Sequence, residues 1–385
     1  MGKDLNGKEL GKNLSQRKDG LYEAKYTDNF GKRHSIYAKK LSEIRKKLNE
    51  ALYAKEHNIF NPNCKLTLNE WFDQWIETFY KNTVKPVTYI EMKERYDRAI
   101  RNSKIGNMDI TTIRNAHIQD VINELIESRN LQRRAAVYYL EAIKMPLQKA
   151  YECEYVASNP VKHINLPKDD IKTKHPLSHR EQELFLAYSK TSSYYNLFVF
   201  LLNTGVRINE ALALTWDDID FDNRTVLINK SLKPVAKSNS RILENMGCAM
   251  TYNDSLIITT PKTKRSIRNL PMTEECYRLL LKMAQKDNTG IVFKSTNGKY
   301  IWCTNVRIRI KEICEKINKE SGELIRDITP HTFRHTFTTR CLESKLDIKT
   351  TQYLLGHSHI STTMQVYTHL TEEYLKTEIK SLNIT

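Results

Sequence analysis

The sequence predicts a mainly helical chain with small β elements, divided into two or three domains. Three observations predict it. The 385 residues exceed what one core ordinarily serves, and 40% of them are hydrophobic, enough to build several cores. Apolar residues recur at three- and four-residue spacing behind Ser or Thr caps over most of the chain. Short runs of β-branched and aromatic residues, bounded by turn signals, occur near the N-terminus and again past residue 220.

Taken in order, "GLYEAKYTDNFGKRHSIYAKK" alternates aromatic and polar residues around Asp28-Asn29-Phe30-Gly31, which predicts a β-hairpin of Leu21–Thr27 and Lys32–Tyr37. Leu41, Ile44, Leu48, Ala51 and Leu52 then fall at helical spacing. Asn61-Pro62-Asn63 reads as a linker. Thr67-x-x-Glu70 is a capping box opening a helix with Trp71, Trp75 and Phe79 on one face, and Thr88-x-x-Glu91 starts a second helix. Asn115–Ser128 and Leu131–Glu152 complete a helical bundle whose tryptophans are core. The segment "NPVKHINLPKDDIKTKHP" has proline and charge without apolar periodicity and reads as a linker. Ser178-x-x-Glu181 opens the next domain. Tyr194–Gly205 is apolar on every face and reads as a buried helix, "TVLINK" and "SLIITTPKTKRSIRNLPM" supply strands, and the remainder returns to helices. The expected domains are therefore 1–62, 63–160, a linker at 161–177, and 178–385.

Charge narrows the partner. Sixty-one Lys and Arg against 45 Asp and Glu give +16 and a pI near 9.3, which favours a polyanion, because neutralising phosphates releases counterions. The first 60 residues are the most basic, with fourteen Lys and Arg against eight Asp and Glu, so the Leu21–Tyr37 hairpin is a candidate DNA-groove element. No window approaches the roughly 18 apolar residues of a membrane span. The N-terminus lacks the apolar core of a signal peptide, and Asn6 breaks the myristoylation pattern. Seven singly scattered cysteines suit reduced thiols and a cytoplasmic setting.

Four stretches carry chemistry. "NTGVRINEALALTW" puts Arg207 after a helix-breaking Thr204-Gly205 pair, with Glu210 three residues on, placed to hold the guanidinium. "TTPKTKRSIRNLPM" places Lys262, Lys264, Arg265 and Arg268 around a strand-to-strand turn. "ITPHTFRHTF" opens a helix at Pro330 with His331, Arg334, His335 and Thr338 on one arc, and Phe333 and Phe337 directed away. "LLGHSHISTTMQVYTH" ends a helix at Gly356, projects His357, and starts another helix at Ser361 that carries Tyr367. Two kinds of chemistry compete for these residues. His331, His335, His357 and His359 could ligate zinc. However, Thr332 stands where the metalloprotease pattern needs Glu, and Arg334 on the same face would repel a dication. The other is metal-free phosphoryl transfer, in which two arginines and a lysine neutralise a pentacovalent phosphorus and a tyrosine acts as nucleophile.

In order and spacing these four boxes resemble the tyrosine recombinase (phage integrase) family over roughly residues 178–375. The resemblance implies a mixed α/β, mostly α catalytic domain and a helical core-binding domain upstream. It also implies an N-terminal arm-type DNA-binding domain, a three-stranded sheet plus helix, as in integrases of conjugative transposons and temperate phages. Tyr367 would then attack the scissile phosphate, and Arg207 and Arg334 would grip its non-bridging oxygens. Lys262 would protonate the leaving 5′-oxygen, with Lys264 as its alternative because the preceding segment Ser231–Asp254 is longer than in compact relatives. His331 would assist proton transfer, His357 would hydrogen-bond the phosphate, and Glu210 would support Arg207. His335, His359 and His369 match no catalytic role. Tyr353 and Tyr374 are further hydroxyls, but Tyr367 has the family's spacing from His357. The family needs no cofactor or metal. It acts as a homotetramer on double-stranded DNA with core-type and arm-type sites, passes through a Holliday junction, and uses bending or excision proteins. Its members also dock a C-terminal tail, here the segment after Tyr367, onto a neighbouring protomer. A type IB topoisomerase would share the chemistry without exchanging strands, and a non-catalytic DNA-binding regulator would share the fold without the full residue set.

Overall fold

The computed structural model describes residues 2–27, 33–56, 66–168, 175–251, 255–260, 267–325, 328–357, 359–360 and 364. The chain forms two compact units, Met1–Ile171 and Lys172–Thr385. Helices dominate both, with short antiparallel sheets between them.

In the first unit, β1 (Gly2–Lys3) pairs with β2 (Glu9–Gly11), and β3 (Leu14–Gln16), β4 (Tyr22–Thr27) and β5 (Arg33–Ala38) form a second sheet in that order. The predicted hairpin is present, its register running from Tyr22 opposite Ala38 to Thr27 opposite Arg33, while its turn lies outside the described residues. Helix α1 (Leu41–Glu56) covers the sheet and buries Ile44 and Leu48 against Leu10, Leu14, Ala24 and Ala38. Strands β1 to β3 escaped the sequence pattern because two or three residues are too few to show a period of two.

The helical part contains α2 (Leu68–Trp75), α3 (Pro86–Ala99), α4 (Asn115–Arg129) and α5 (Arg133–Glu152). Thr67 and Glu70 form the expected reciprocal cap of α2. Two details differ from expectation. The helix begun by α2 continues as a π-turn, Ile76–Tyr80, whose extra residue rotates the following face. Tyr80 therefore takes the buried place that a plain helix gives Phe79. Helix α3 starts at Pro86, not at Thr88, because proline's fixed φ suits the first helical position and its missing N–H has no partner to lose there. The Trp71 indole donates to the carbonyl of Pro146 inside α5 at 2.7 Å, so this tryptophan is core with its one polar atom satisfied.

The second unit opens with α6 (His179–Ser189), capped by Ser178 and Glu181, and α7 (Tyr195–Thr204). Leu197 to Leu202 are all buried, as expected of a helix apolar on every face. Next come α8 (Ile208–Ala211), β6 (Ile219–Asp220), β7 (Thr225–Ile228), β8 (Ser231–Pro234), α9 (Lys237–Asn245), β9 (Ala249–Met250), β10 (Leu256–Thr259) and β11 (Arg268–Pro271). Helices α10 (Glu274–Ala284), α11 (Cys303–Glu320), α12 (Pro330–Glu343) and α13 (Ile348–Leu355) follow. Phe333 of α12 meets Phe185 and Phe198 at 5.2 and 5.7 Å between ring centroids, which fixes α12 against α6 and α7.

The β-segment corrects one expectation. Strand β10 pairs with β8, Thr259 opposite Ser231, and β11 pairs with β7, Arg268 opposite Ile228. Strands β8 and β7 are thus the antiparallel partners of β10 and β11 respectively. Arg268 consequently begins a paired strand instead of decorating a solvated turn. Lys262, Lys264 and Arg265 lie outside the described residues.

Candidate active site

The site begins where α7 stops. Gly205 ends that helix at φ +61°, in the left-handed region that glycine enters without a Cβ penalty, and a Cβ there would stand 2.2 Å from the Phe337 ring. Two residues on, Arg207 caps the short helix α8. Glu210 reaches back, one oxygen accepting the Arg207 backbone N–H at 3.1 Å and the other pairing with Arg207 Nη1 at 2.9 Å. The support of Arg207 by Glu210 expected from their spacing is therefore present.

A second arginine shares this carboxylate. Arg268 Nη2 lies 2.9 Å from Glu210 Oε2, and the Arg268 side chain is 0% exposed. The sequence pattern sets Arg268 among the charges of a turn, with no role of its own. A signal was present nonetheless. Arg268 and Leu270 alternate with Ile267 and Asn269, so a strand that buries Leu270 also buries Arg268.

Helix α13 gathers the arginines. Asp347 caps its start, accepting from the N–H groups of Lys349 and Thr350, and Gly356 ends it in the left-handed conformation. The last carbonyls of a helix have no partner within it and form the negative end of its dipole. Three successive carbonyls here each accept an arginine. Arg268 Nε donates to Leu354 O at 2.8 Å, Arg334 Nη2 to Leu355 O at 2.6 Å, and Arg207 Nη2 to Gly356 O at 3.4 Å. Arg334 also donates to Gly205 O at 2.8 Å, which ties α12 to the end of α7. A Cβ on Gly356 would come within 2.8 Å of Arg268 Nη1, so this glycine serves both the turn and the close approach.

Electrostatics follow from three guanidinium groups around one carboxylate. Burial alone would raise the Glu210 carboxyl, but Arg268 and then Arg207 hold it below the usual carboxylate range. Arg334 is pushed down to about 9 by burial and by the neighbouring Arg207 and Arg268, against the pull of Glu210. It stays charged at neutral pH. His357 is pushed down to about 3 by burial and by the charges of Arg334, Arg207, Arg268 and His335. Its imidazole is therefore neutral near pH 7 and can hydrogen-bond an anion without adding charge. The uncompensated positive charge at the end of α13 suits a phosphate, and forked guanidiniums match its geometry. The same charge is unfavourable for a metal dication.

The structure thus brings together Arg207, Glu210, Arg334 and His357. His331 stands in the first turn of α12, three residues before Arg334, and is exposed; His335 is half-buried and acts on His357 through its charge. His359 is exposed, and the Tyr353 hydroxyl donates to the Asn269 carbonyl at 3.3 Å. Tyr367, Tyr374 and His369 lie outside the described residues, as do the C-terminal tail and all but Met364 of the predicted helix from Ser361.

Known proteins match along the whole chain. The phage integrase family matches residues 176–374, the phage integrase N-terminal SAM-like domain residues 67–126, and the DNA binding domain of Tn916 integrase residues 1–61. The transposase from transposon Tn916 of Enterococcus faecalis is 27% identical over 413 aligned positions, spanning 99% of this chain and 96% of that protein. Tyrosine recombinase XerC of Anoxybacillus flavithermus is 30% identical over 226 positions, 57% of this chain and 66% of XerC. Among solved structures, the Tn1549 transposon integrase in complex with a circular intermediate DNA has a TM-score of 0.67 at 23% identity, covering 83% of this chain and 100% of that one. A lambda integrase tetramer bound to a Holliday junction has a TM-score of 0.54 at 16% identity, covering 91% and 97%. At these identities the structural likeness is one of fold. The family match spans the unit that holds the arginine cluster and all four sequence boxes, and the chain belongs to the phage integrase family of tyrosine recombinases.

Proposed function

We propose that this protein is the site-specific DNA recombinase of a mobile element, acting without metal or cofactor. The observation that carries this is the convergence of Arg207 and Arg334 with neutral His357 at the end of α13, ten residues before Tyr367. In the proposed reaction the Tyr367 oxygen attacks the scissile phosphorus. The bond from phosphorus to the 5′-oxygen breaks, and a 3′-phosphotyrosine forms. Lys262 gives its proton to the departing 5′-oxygen, and His331 assists removal of the tyrosine proton. Arg207 and Arg334 offset the charge on the non-bridging oxygens, and His357 hydrogen-bonds one of them. Because the phosphotyrosine keeps the energy of the broken ester, rejoining needs no nucleotide cofactor.

The partner is double-stranded DNA. Core-type sites would be held by the helical domain, 63–160, and the catalytic domain, 178–385, joined by the linker 161–177. Arm-type sites would be held by the Leu21–Tyr37 hairpin of domain 1–62. Four protomers would exchange strands through a Holliday junction, with accessory bending or excision proteins. Among the described residues no helix is long and apolar enough to cross a membrane, and the proposed setting is the bacterial cytoplasm.

A duplex nicked near the cleavage site traps the covalent intermediate and tests this reading. Wild type is expected to form a protein–DNA adduct that Tyr367→Phe does not form. An adduct formed equally by Tyr367→Phe would reject the nucleophile assignment. Cleavage abolished by EDTA and restored by a divalent cation would reject metal independence.

A further inference from the structure

We infer that Arg268 is a positioning residue for strand cleavage, holding Glu210 and the C-terminus of α13 in the one arrangement that leaves Arg207 turned toward the phosphate. This inference rests on the proposed recombinase reaction and names a residue that the reaction scheme does not use.

Glu210 has two oxygens and divides them between two arginines, Oε1 with Arg207 Nη1 and Oε2 with Arg268 Nη2, both at 2.9 Å. Arg268 and the Arg207 backbone N–H, at 2.9 and 3.1 Å, together hold Oε2 and with it the plane of the carboxylate. Without Arg268 only the longer backbone contact remains on Oε2, and the carboxylate can turn to take the Arg207 guanidinium as a two-bond fork, the stronger arrangement for an arginine and a carboxylate. Arg207 would then be withdrawn from a ligand it must share with Arg334. Through Nε the same guanidinium donates to Leu354 O at 2.8 Å. The next two carbonyls along that helix end receive Arg334 and Arg207, and His357 follows directly. One side chain therefore connects the group that aims Arg207 to the segment that carries the other phosphate contacts.

Charge supports the assignment. One carboxylate stands against three guanidiniums, so the cluster keeps a net positive charge for an incoming phosphate. The proposed reaction does not use Arg268 as a third phosphate ligand; its side chain is 0% exposed, against 37% for Arg207. Lysine cannot replace it. A guanidinium holds Nε–H and Nη–H donors in one rigid plane, and the structure uses both; an ammonium on a flexible stem serves one partner well and the other poorly. Its place in the chain adds a further link, since Arg268 opens β11 six residues after Lys262.

The test uses the full chain and the nicked duplex under single-turnover conditions, with melting temperature and DNA Kd measured beside the rate. Wild type must first form the adduct; if it forms none, the recombinase reading fails and not this inference. Arg268→Lys keeps the buried charge and is expected to slow adduct formation at least fivefold while DNA Kd changes less than threefold. In an Arg207→Lys background the same substitution is expected to cost less than threefold more, since the residue it would position is already lost. Slowing of less than fivefold in the wild-type background overturns the inference. So does an equal fold-loss in both backgrounds, which marks a merely structural role. If Arg268→Lys does not melt cooperatively, Arg268→Gln, which keeps an amide donor at the site, is read by the same cycle and the same limits.

Discussion

At the scale of residues, one carboxylate holds the cluster together. Glu210 is 5% exposed and faces Arg207 and Arg268 directly, with Arg334 close enough to be affected by its charge. Glu210→Ala leaves those guanidiniums without a counter-charge. Removing one member of a buried ion pair costs about 3–5 kcal/mol, so urea melts should show a loss of that order together with loss of adduct formation. A loss below about 1 kcal/mol would mean that water replaces the carboxylate at little cost. His357 carries a pH signature. Its folded value is about 3 against about 6.5 for the free residue, so between these values the unfolded chain binds a proton that the folded chain does not. The stability associated with neutral His357 is complete above about pH 6.5 and drains away as pH falls toward 3. His357→Gln should therefore lose stability relative to wild type at pH 7 by more than at pH 4.5. A difference unchanged between the two pH values would show that burial and the neighbouring charges do not depress this imidazole.

At the scale of elements, α13 is a short helix whose two ends do different work. Asp347 satisfies the first N–H groups, and the last three carbonyls seat three arginines. Asp347→Ala should cost about 1 kcal/mol by loss of the cap. Because the far end of the same helix orders the arginines, cleavage should fall while DNA binding changes little. Unchanged cleavage would mean that the arginines hold the helix end without help from its start. Gly205 links α7 to the cluster in a similar way. Gly205→Ala meets a left-handed backbone, costing roughly 1–2 kcal/mol, and in addition the ring of Phe337. Helix existence and caps were legible at Thr67 and Ser178, because an N-cap is a local hydrogen bond between residues three apart. The π-turn at Ile76–Tyr80 was not legible, since what selects it is which aromatic ring the bundle buries.

At the scale of the whole molecule, a net charge of +16 predicts DNA affinity that falls steeply as salt rises, because each neutralised phosphate releases a counterion. A chain beginning near Asn63 lacks the most basic segment and the β3–β4–β5 sheet. It should lose arm-type binding and show a shallower salt slope, yet still form the covalent adduct on a core-type site. Arm-type binding retained by that shortened chain would remove the role given to the Leu21–Tyr37 hairpin. The two compact units divide at Ile171, and each has its own buried core.

The amino-acid order by itself determined the helical fold class, the four boxes and their order, and the pairing of Arg207 with Glu210. Each of these depends on residue type and on spacing within a turn or two of chain, where backbone geometry allows few alternatives. Only the tertiary structure decided that Arg268, 58 residues from Glu210, is buried against it. Only the tertiary structure placed three arginines on three successive carbonyls of one helix end. Contacts between residues so far apart leave no local period. They arise because a helix terminus presents carbonyls that must be satisfied, and because arginines brought together by the fold need that negative end and that single carboxylate to remain buried.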